Sequence, residues 1–120
     1  MAMNFSSERP IFLQIAESVC ERILSGSLKP GERIPSVREE GAELGVNPNT
    51  VMRTYEKLTD DGVIFNRRGI GYFVSEDALE KVLEAERKQF MEEELPAFVR
   101  RMKLLGISEK EILSAIKASV

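Results

Sequence analysis

The chain of 120 residues contains no histidine, no tryptophan and a single cysteine. Without histidine it cannot form Ser-His-Asp or Cys-His nucleophilic sites, or zinc sites that use histidine. Cys20 falls within a predicted helix, where we interpret it as a half-buried apolar residue. No stretch approaches the roughly 20 apolar residues of a membrane span, and residues 1–10 lack the pattern of an export signal. We expect a cytoplasmic protein with no membrane partner, no metal and no cofactor.

Net positive charge is also lacking: the formal net charge is −3 and the isoelectric point is about 5.2. A nucleic-acid partner would therefore need a local basic patch. Nucleotide-binding motifs are absent too, since Gly69-Ile70-Gly71 lacks a third glycine and a following helix. The acidic run Glu92–Glu94 is typical of a solvated helix face. An enzyme is not expected.

The first periodic segment predicts a helix from Pro10 to Ser25. Its apolar stripe recurs every four residues and consists of Ile11, Ile15, Val19 and Ile23. Residues 27–35, with Pro30-Gly31 as a turn signal, predict an extended connection to the next helix.

Two short helices follow, separated by about three residues around Gly45. The first begins at Ser36, which forms a capping-box pattern with Glu39, and ends near Glu43. The second spans residues 48–61, with Asn47 as its N-cap and the next residue a proline. This arrangement is typical of a helix-turn-helix.

The pattern then changes to two β-rich runs, residues 63–65 and 70–74, around a polar tip at 66–69. This indicates a hairpin over residues 63–74. A hairpin directly after a helix-turn-helix is the wing of a winged helix. We therefore predict a mainly α fold with a small β-hairpin, in which residues 1–75 form a winged helix-turn-helix DNA-binding domain.

Residues 76–120 contain helix formers and no strand signal. We predict a helix from Ala78 to about Glu94, a kink or restart at Pro96, and a last helix from Glu109 to Ala118. Unpaired, this tail would expose a large apolar area, so we predict that it is a homodimerisation tail. The predicted contacts are Leu79, Leu83, Phe90, Phe98, Met102, Leu105 and Ile116. The alternative is that the tail folds back onto its own winged helix.

The second helix of the pair has the residue types of a DNA-reading helix. Val51, Tyr55 and Leu58 form its inward stripe, whereas Asn49, Thr50 and Arg53 face outward. Asparagine can pair with adenine, arginine can bind guanine through two bonds, and threonine can contact a phosphate or a thymine methyl. The alternative is that Asn49 and Thr50 only satisfy a helix start.

The wing tip places two adjacent arginines where a hairpin can follow the minor groove or the phosphate backbone. The predicted DNA contacts are Arg33, Ser36, Arg38, Asn47, Asn49, Thr50, Arg53, Arg67, Arg68 and Gly69. Residues 33–75 nevertheless carry six basic and six acidic side chains. Only a segregated arrangement of these charges could produce a positive face.

Residues 10–74 resemble the winged-helix domain of GntR-type bacterial transcription regulators. The resemblance lies in PIFLQIAESVCERILSG, LKPGERIPSVRE, LGVNPNTVMRTYEKLTDDGVI and RRGIGYFV. It implies DNA contact by Arg38, by Asn49, Thr50 and Arg53, and by Arg68 and Gly69.

The chain departs from many family members at two positions, where Pro48 and Met52 replace arginines. NPNTVMRTY is instead similar to the YtrA-like and aminotransferase-fused branches, and 120 residues cannot hold an aminotransferase. LLGISEKEI resembles the short two-helix tail of the YtrA-like branch, which implies homodimerisation and, often, control of transporter operons.

The favoured hypothesis is a homodimeric transcription regulator, a repressor, that binds a short inverted repeat in double-stranded DNA. The alternative is a winged helix used as a protein-interaction or scaffolding module, which the acidic isoelectric point supports. The sequence assigns no small-molecule effector; one would have to use the dimer interface or the hinge near Ser75.

Overall fold

The computed structural model of the protein describes Phe5 and residues 7–120. Residues 1–4 and 6 lie outside the described residues. The predictions made for them, the start of the DNA-binding domain and the absence of an export signal, therefore lie outside the described residues too. The chain divides into two compact units, Met1–Glu84 and Ala85–Val120. Within the described part of the chain, no helix has the length and apolar character needed to cross a membrane.

The first unit is mainly helical and contains one two-stranded antiparallel sheet. Its elements are α1 (Ile11–Ser25), α2 (Val37–Leu44), α3 (Pro48–Asp60), β1 (Ile64–Arg67), β2 (Gly71–Val74) and the start of α4 (Ala78–Gln89). The predicted helix-turn-helix and hairpin are therefore confirmed.

The apolar stripes of α1 and α3 form the core of this unit. Ile15, Val19 and Ile23 are buried, as the four-residue period requires, and Val51, Tyr55 and Leu58 face them from α3. Ile11 differs from the prediction, because it is the first residue of α1 and remains 41% exposed.

The hairpin pairs Ile64 with Val74 and Arg67 with Gly71. The strands differ from the predicted runs because two polar residues, Asn66 and Arg67, extend β1 beyond its apolar start. A further bridge joins Arg33 to Phe73, so the extended connection before α2 lies beside β2.

The first unit continues to Glu84, whereas the composition changes at residue 76. Ala78 and Val82 lie one turn apart on α4 and are buried in the same core as Val63 and Val74. Packing therefore assigns the start of α4 to the winged helix, although its composition matches that of the tail.

The second unit is helical. It contains the end of α4, a π-helical turn at Phe90–Glu94, α5 (Leu95–Leu104) and α6 (Glu109–Ser119). The π turn directly precedes Pro96, and the Leu95 N–H bonds the carbonyl of Phe90. Proline has no N–H, and its ring would collide with a carbonyl four residues earlier in a regular helix, so the wider turn accommodates it.

Candidate nucleic-acid interface

The first turn of α3 begins with a side-chain cap and a proline. The side-chain oxygen of Asn47 accepts a hydrogen bond of 2.8 Å from the Asn49 N–H, and Pro48 occupies the first helical position. Asn49 and Arg53 are exposed, and Thr50 is half-buried. The outward face predicted for α3 is therefore present.

Two buried side chains of α3 hydrogen-bond to backbone carbonyls. The Thr54 hydroxyl lies 3.0 Å from the Phe12 carbonyl and 3.1 Å from the Thr50 carbonyl, and it donates to them. The Tyr55 hydroxyl donates to the Pro35 carbonyl at 2.8 Å. Burial raises the pKa of Tyr55 well above its ordinary value of 10, so the phenol remains a donor at physiological pH. These bonds fix α3 to α1 and to the start of α2.

The wing tip is a tight turn formed by residues 67–70. The Ile70 N–H bonds the Arg67 carbonyl at 2.9 Å, and Gly69 has a φ of +79°, which other residues rarely adopt. Arg67, Arg68 and Gly69 are exposed. The Arg67 guanidinium lies 5.3 Å from the centre of the Phe73 ring, within the range of a cation–π contact.

Arg33 also belongs to the wing, although 34 residues separate it from Arg67. A Cβ atom at Gly71 would lie 3.1 Å from Nε of Arg33, and Gly71 has a φ of +139°. The guanidinium of Arg33 therefore packs against a position where only glycine fits without strain. The strand-like bridge between Arg33 and Phe73 brings this pair together.

Some of the carboxylates of residues 33–75 are engaged in ion pairs. Asp61 pairs with Lys57 at 2.9 Å, and buried Glu40 lies 3.7 Å from Arg22. Among the described residues of the first unit, the exposed arginines that form no ion pair are Arg33, Arg38, Arg53, Arg67 and Arg68. These five are the predicted basic contacts.

Ser36 has a structural partner. Its hydroxyl accepts from the Glu39 N–H at 3.1 Å, and its own N–H donates to the Glu39 carboxylate at 3.0 Å. These backbone and side-chain bonds from Ser36, with a smaller contribution from Arg33, hold the pKa of Glu39 below its ordinary value. The capping box is therefore confirmed. Arg38, the second residue of α2, lies exposed beside it.

Sequence reasoning missed Phe12, which lies outside the predicted apolar stripe of α1. Cζ of Arg53 lies 4.0 Å from the centre of the Phe12 ring. An open groove of about 440 Å³ runs beside this contact, lined by Pro10, Ile11, Phe12, Asn49, Thr50 and Arg53. The aromatic character of residue 12 was the only available signal, because the two residues are distant along the chain.

The residues predicted to form a dimer contact are mostly exposed in the single chain. Phe90 and Phe98 are about half exposed, Met102 is partly buried, and Leu79 and Leu83 are exposed on α4. The remaining two are also exposed: Leu105 follows the last residue of α5, and Ile116 lies on α6.

No group of cysteine, aspartate and glutamate side chains that could hold a metal ion occurs in the described part of the chain. The chemistry available at the exposed face is that of hydrogen-bond donors and cations. These are the groups that bind phosphates and base edges.

Comparison with known proteins agrees with this geometry. Residues 12–74 match the family described as bacterial regulatory proteins, gntR family. The chain is 39% identical to the uncharacterized HTH-type transcriptional regulator YhcF of Bacillus subtilis (strain 168), over 98% of this chain and 95% of that protein. It is 33% identical to the HTH-type transcriptional repressor YtrA of the same organism, over 92% and 85% of the two chains.

Solved structures similar to this chain also include a GntR-family regulator and a DNA-binding domain. A GntR family transcriptional regulator from Listeria monocytogenes superposes with a TM-score of 0.80 at 32% identity, covering 95% of this chain and 98% of that one. The DNA-binding domain of AraR, in complex with operator ORR3, superposes with a TM-score of 0.53 at 26% identity, covering 62% and 93%. The chain therefore belongs to the GntR family of winged-helix transcriptional regulators, which are not enzymes, and it is of the YtrA type.

Proposed function

We propose that the protein is a cytoplasmic homodimeric repressor that binds a short inverted repeat in double-stranded DNA. The observation that carries this proposal is the set of five exposed arginines of the winged helix, Arg33, Arg38, Arg53, Arg67 and Arg68. None of the five forms an ion pair with a described carboxylate, in a chain whose net charge is negative.

In this proposal α3 enters the major groove with its first turns. Asn49 and Arg53 are the base-reading side chains, because amides and guanidinium groups form the paired hydrogen bonds that distinguish adenine and guanine. Thr50 contacts a phosphate or a thymine methyl. Asn47, whose side-chain oxygen caps the helix, retains its amide N–H groups for a backbone contact.

The wing contributes the contacts that depend little on base sequence. Arg67 and Arg68 follow the minor groove or the phosphate backbone, and Gly69 permits close approach of the main chain. Arg33, held against Gly71, adds charge to the same element. Arg38 and Ser36 at the start of α2 would contact the adjacent backbone.

The second unit supplies the pairing. Its exposed apolar side chains would cost free energy in water, and a second copy would cover them through a symmetric interface. Two recognition helices about 34–36 Å apart would then read the two halves of an inverted repeat. The names of the relatives support repression, since YtrA is a transcriptional repressor.

The test is DNA binding by the whole protein. A duplex enriched from a random pool by the wild-type protein serves as the probe, and fluorescence anisotropy at several salt concentrations gives the affinity. We expect two chains per site and a steep loss of affinity with salt. Arg53→Ala should cost about 1–3 kcal/mol and relax base preference at one position in each half-site. Lys110→Ala, which removes an exposed charge from α6, is the control and should change little.

Failure to enrich any sequence, even at low salt, would contradict the proposal. Salt-sensitive binding with no base preference would indicate an architectural role instead. Binding that is unchanged by Arg67→Ala and Arg68→Ala would favour the alternative, in which the winged helix is a protein-interaction module.

A further inference from the structure

We propose that Phe12 is a positioning residue for DNA recognition: its ring holds the Arg53 guanidinium in the orientation that reads a base edge. The inference rests on the proposed function. It adds a specificity-determining residue from α1, a helix outside the helix-turn-helix pair.

The contact itself is short. Cζ of Arg53 lies 4.0 Å from the centre of the Phe12 ring, well within the roughly 6 Å range of a cation–π interaction. Phe12 is half-buried and Arg53 is exposed, so the contact leaves the arginine side chain accessible.

The ring is fixed relative to α3. Thr54, the residue after Arg53, is fully buried, and its hydroxyl donates to the Phe12 carbonyl at 3.0 Å. This bond ties the backbone that carries the ring to the helix that carries the guanidinium. The backbone of α1 at Phe12 is therefore joined to α3 next to the residue that carries the guanidinium.

The stack also prevents a competing contact. Glu56 follows Arg53 by three residues, a spacing at which helix side chains pair, and Glu56 and Asp60 line the same groove as Arg53. Arg53 nevertheless forms no ion pair with either carboxylate, both of which the structure describes. A surface pair at this spacing is weaker than a cation–π contact, so the ring keeps the guanidinium available.

The position of the stack suits its proposed role. Arg53 lines a second groove, on the side of Asn49 and Thr50, where the first turn of α3 is exposed. A guanidinium whose carbon is held over a ring keeps its planar set of N–H groups available, and guanine recognition uses such a planar pair of donors. Because its rotamer is restricted before binding, less conformational entropy is lost when DNA is bound.

The experiment uses the full-length protein, a duplex enriched by the wild type from a random pool, and four variants. Phe12→Leu removes the ring but keeps an apolar side chain and the Thr54 bond to the backbone carbonyl. Phe12→Tyr keeps the ring and is the conservative control. Arg53→Ala and the double variant Phe12→Leu/Arg53→Ala complete a cycle.

We expect Phe12→Leu to weaken binding about two- to tenfold, and Phe12→Tyr to remain within about twofold of the wild type. Base preference should relax at the same base pair in Phe12→Leu and in Arg53→Ala. In the Arg53→Ala background, Phe12→Leu should have no further effect. A purely structural role of Phe12 would instead lower affinity for all sequences alike and lower the thermal midpoint.

A second measurement needs no DNA. In the free wild-type protein and in Phe12→Tyr, the ring current should shift the side-chain protons of Arg53 upfield, and Phe12→Leu should abolish this shift. Equal Arg53 shifts in wild type and Phe12→Leu would overturn the inference.

The outcomes separate the two proposals. If the wild type enriches a sequence but Phe12→Leu binds and discriminates as the wild type does, the inference is wrong and the proposed function stands. If Phe12→Leu weakens binding equally with and without Arg53, Phe12 does not act through Arg53. A wild type that enriches no sequence overturns both.

Discussion

At the scale of single residues, the start of α2 depends on one reciprocal pair. Ser36 and Glu39 each donate a backbone N–H to the other's side chain, which satisfies two donors that have no partner within the helix. The Ser36 bonds favour the charged carboxylate and lower the pKa of Glu39. The stabilisation by this cap is therefore complete above the ordinary pKa of 4.5 and is lost as the pH falls through the lower pKa of the folded state.

We predict that Glu39→Gln reduces the loss of stability on acidification. Glutamine can still complete a capping box but has no charge to lose. Thermal midpoints of wild type and variant, measured from pH 7 down to below 4, should converge as the pH falls. Parallel curves over the whole range would show that Glu39 contributes nothing to the pH dependence.

At the scale of elements, the turn between α2 and α3 requires close approach of two backbones. A Cβ atom at Gly41 would lie 2.8 Å from the Val46 carbonyl oxygen, and the Val46 N–H bonds the Gly41 carbonyl at 2.8 Å. Gly41 is helical, so glycine is needed there for space and not for its φ angle. The close approach of the turn to α2 depends on the absence of a side chain at Gly41.

We predict that Gly41→Ala destabilises the protein by about 1–3 kcal/mol, because the added methyl group meets backbone atoms that cannot rotate away. The sign of the change in the free energy of unfolding is decisive, because alanine is favoured over glycine in an open helix position by about 1 kcal/mol. Denaturant unfolding measures the difference. Gly26→Ala is the comparison variant. Gly26 has a φ of +85° and open space around it, so its substitution measures the cost of backbone conformation without a steric clash. A stabilised Gly41→Ala variant would contradict the close approach.

At the scale of the whole molecule, the two units differ in how well they bury their apolar residues. The first unit has a continuous core that reaches into α4. None of the described residues of α5 or α6 is buried, and Phe98, Leu105 and Ile116 are more than half exposed. The proposed function assigns the covering of these side chains to a second copy of the chain.

We predict that Phe98→Ser combined with Leu105→Ser weakens self-association at least about tenfold, since burying each side chain contributes about 1.5–3 kcal/mol. Sedimentation over a range of protein concentrations measures this. Leu104→Ser is the control, because Leu104 is 85% exposed and lies outside the predicted contact set. A wild-type protein that sediments as a single chain at all concentrations would refute the dimer.

The sequence alone determined the features that depend on local pattern. Capping residues, prolines and glycines marked the helix starts and turns, the apolar stripes marked α1 and α3, and two β-rich runs around a polar tip marked the hairpin. The winged helix and the exposed residues of α3 follow from these signals, since they involve neighbours within a few residues.

Only the tertiary structure decided the features that join distant residues. The sequence did not predict that Phe12 contacts Arg53, that Arg33 packs against Gly71, or that Ala78 belongs to the first core. The balanced charge of residues 33–75 also left the basic face undecided. Ion pairing with Lys57, burial beside Arg22 and capping at Ser36 engage three of the carboxylates, and such contacts depend on three-dimensional packing, which sequence periodicity does not encode.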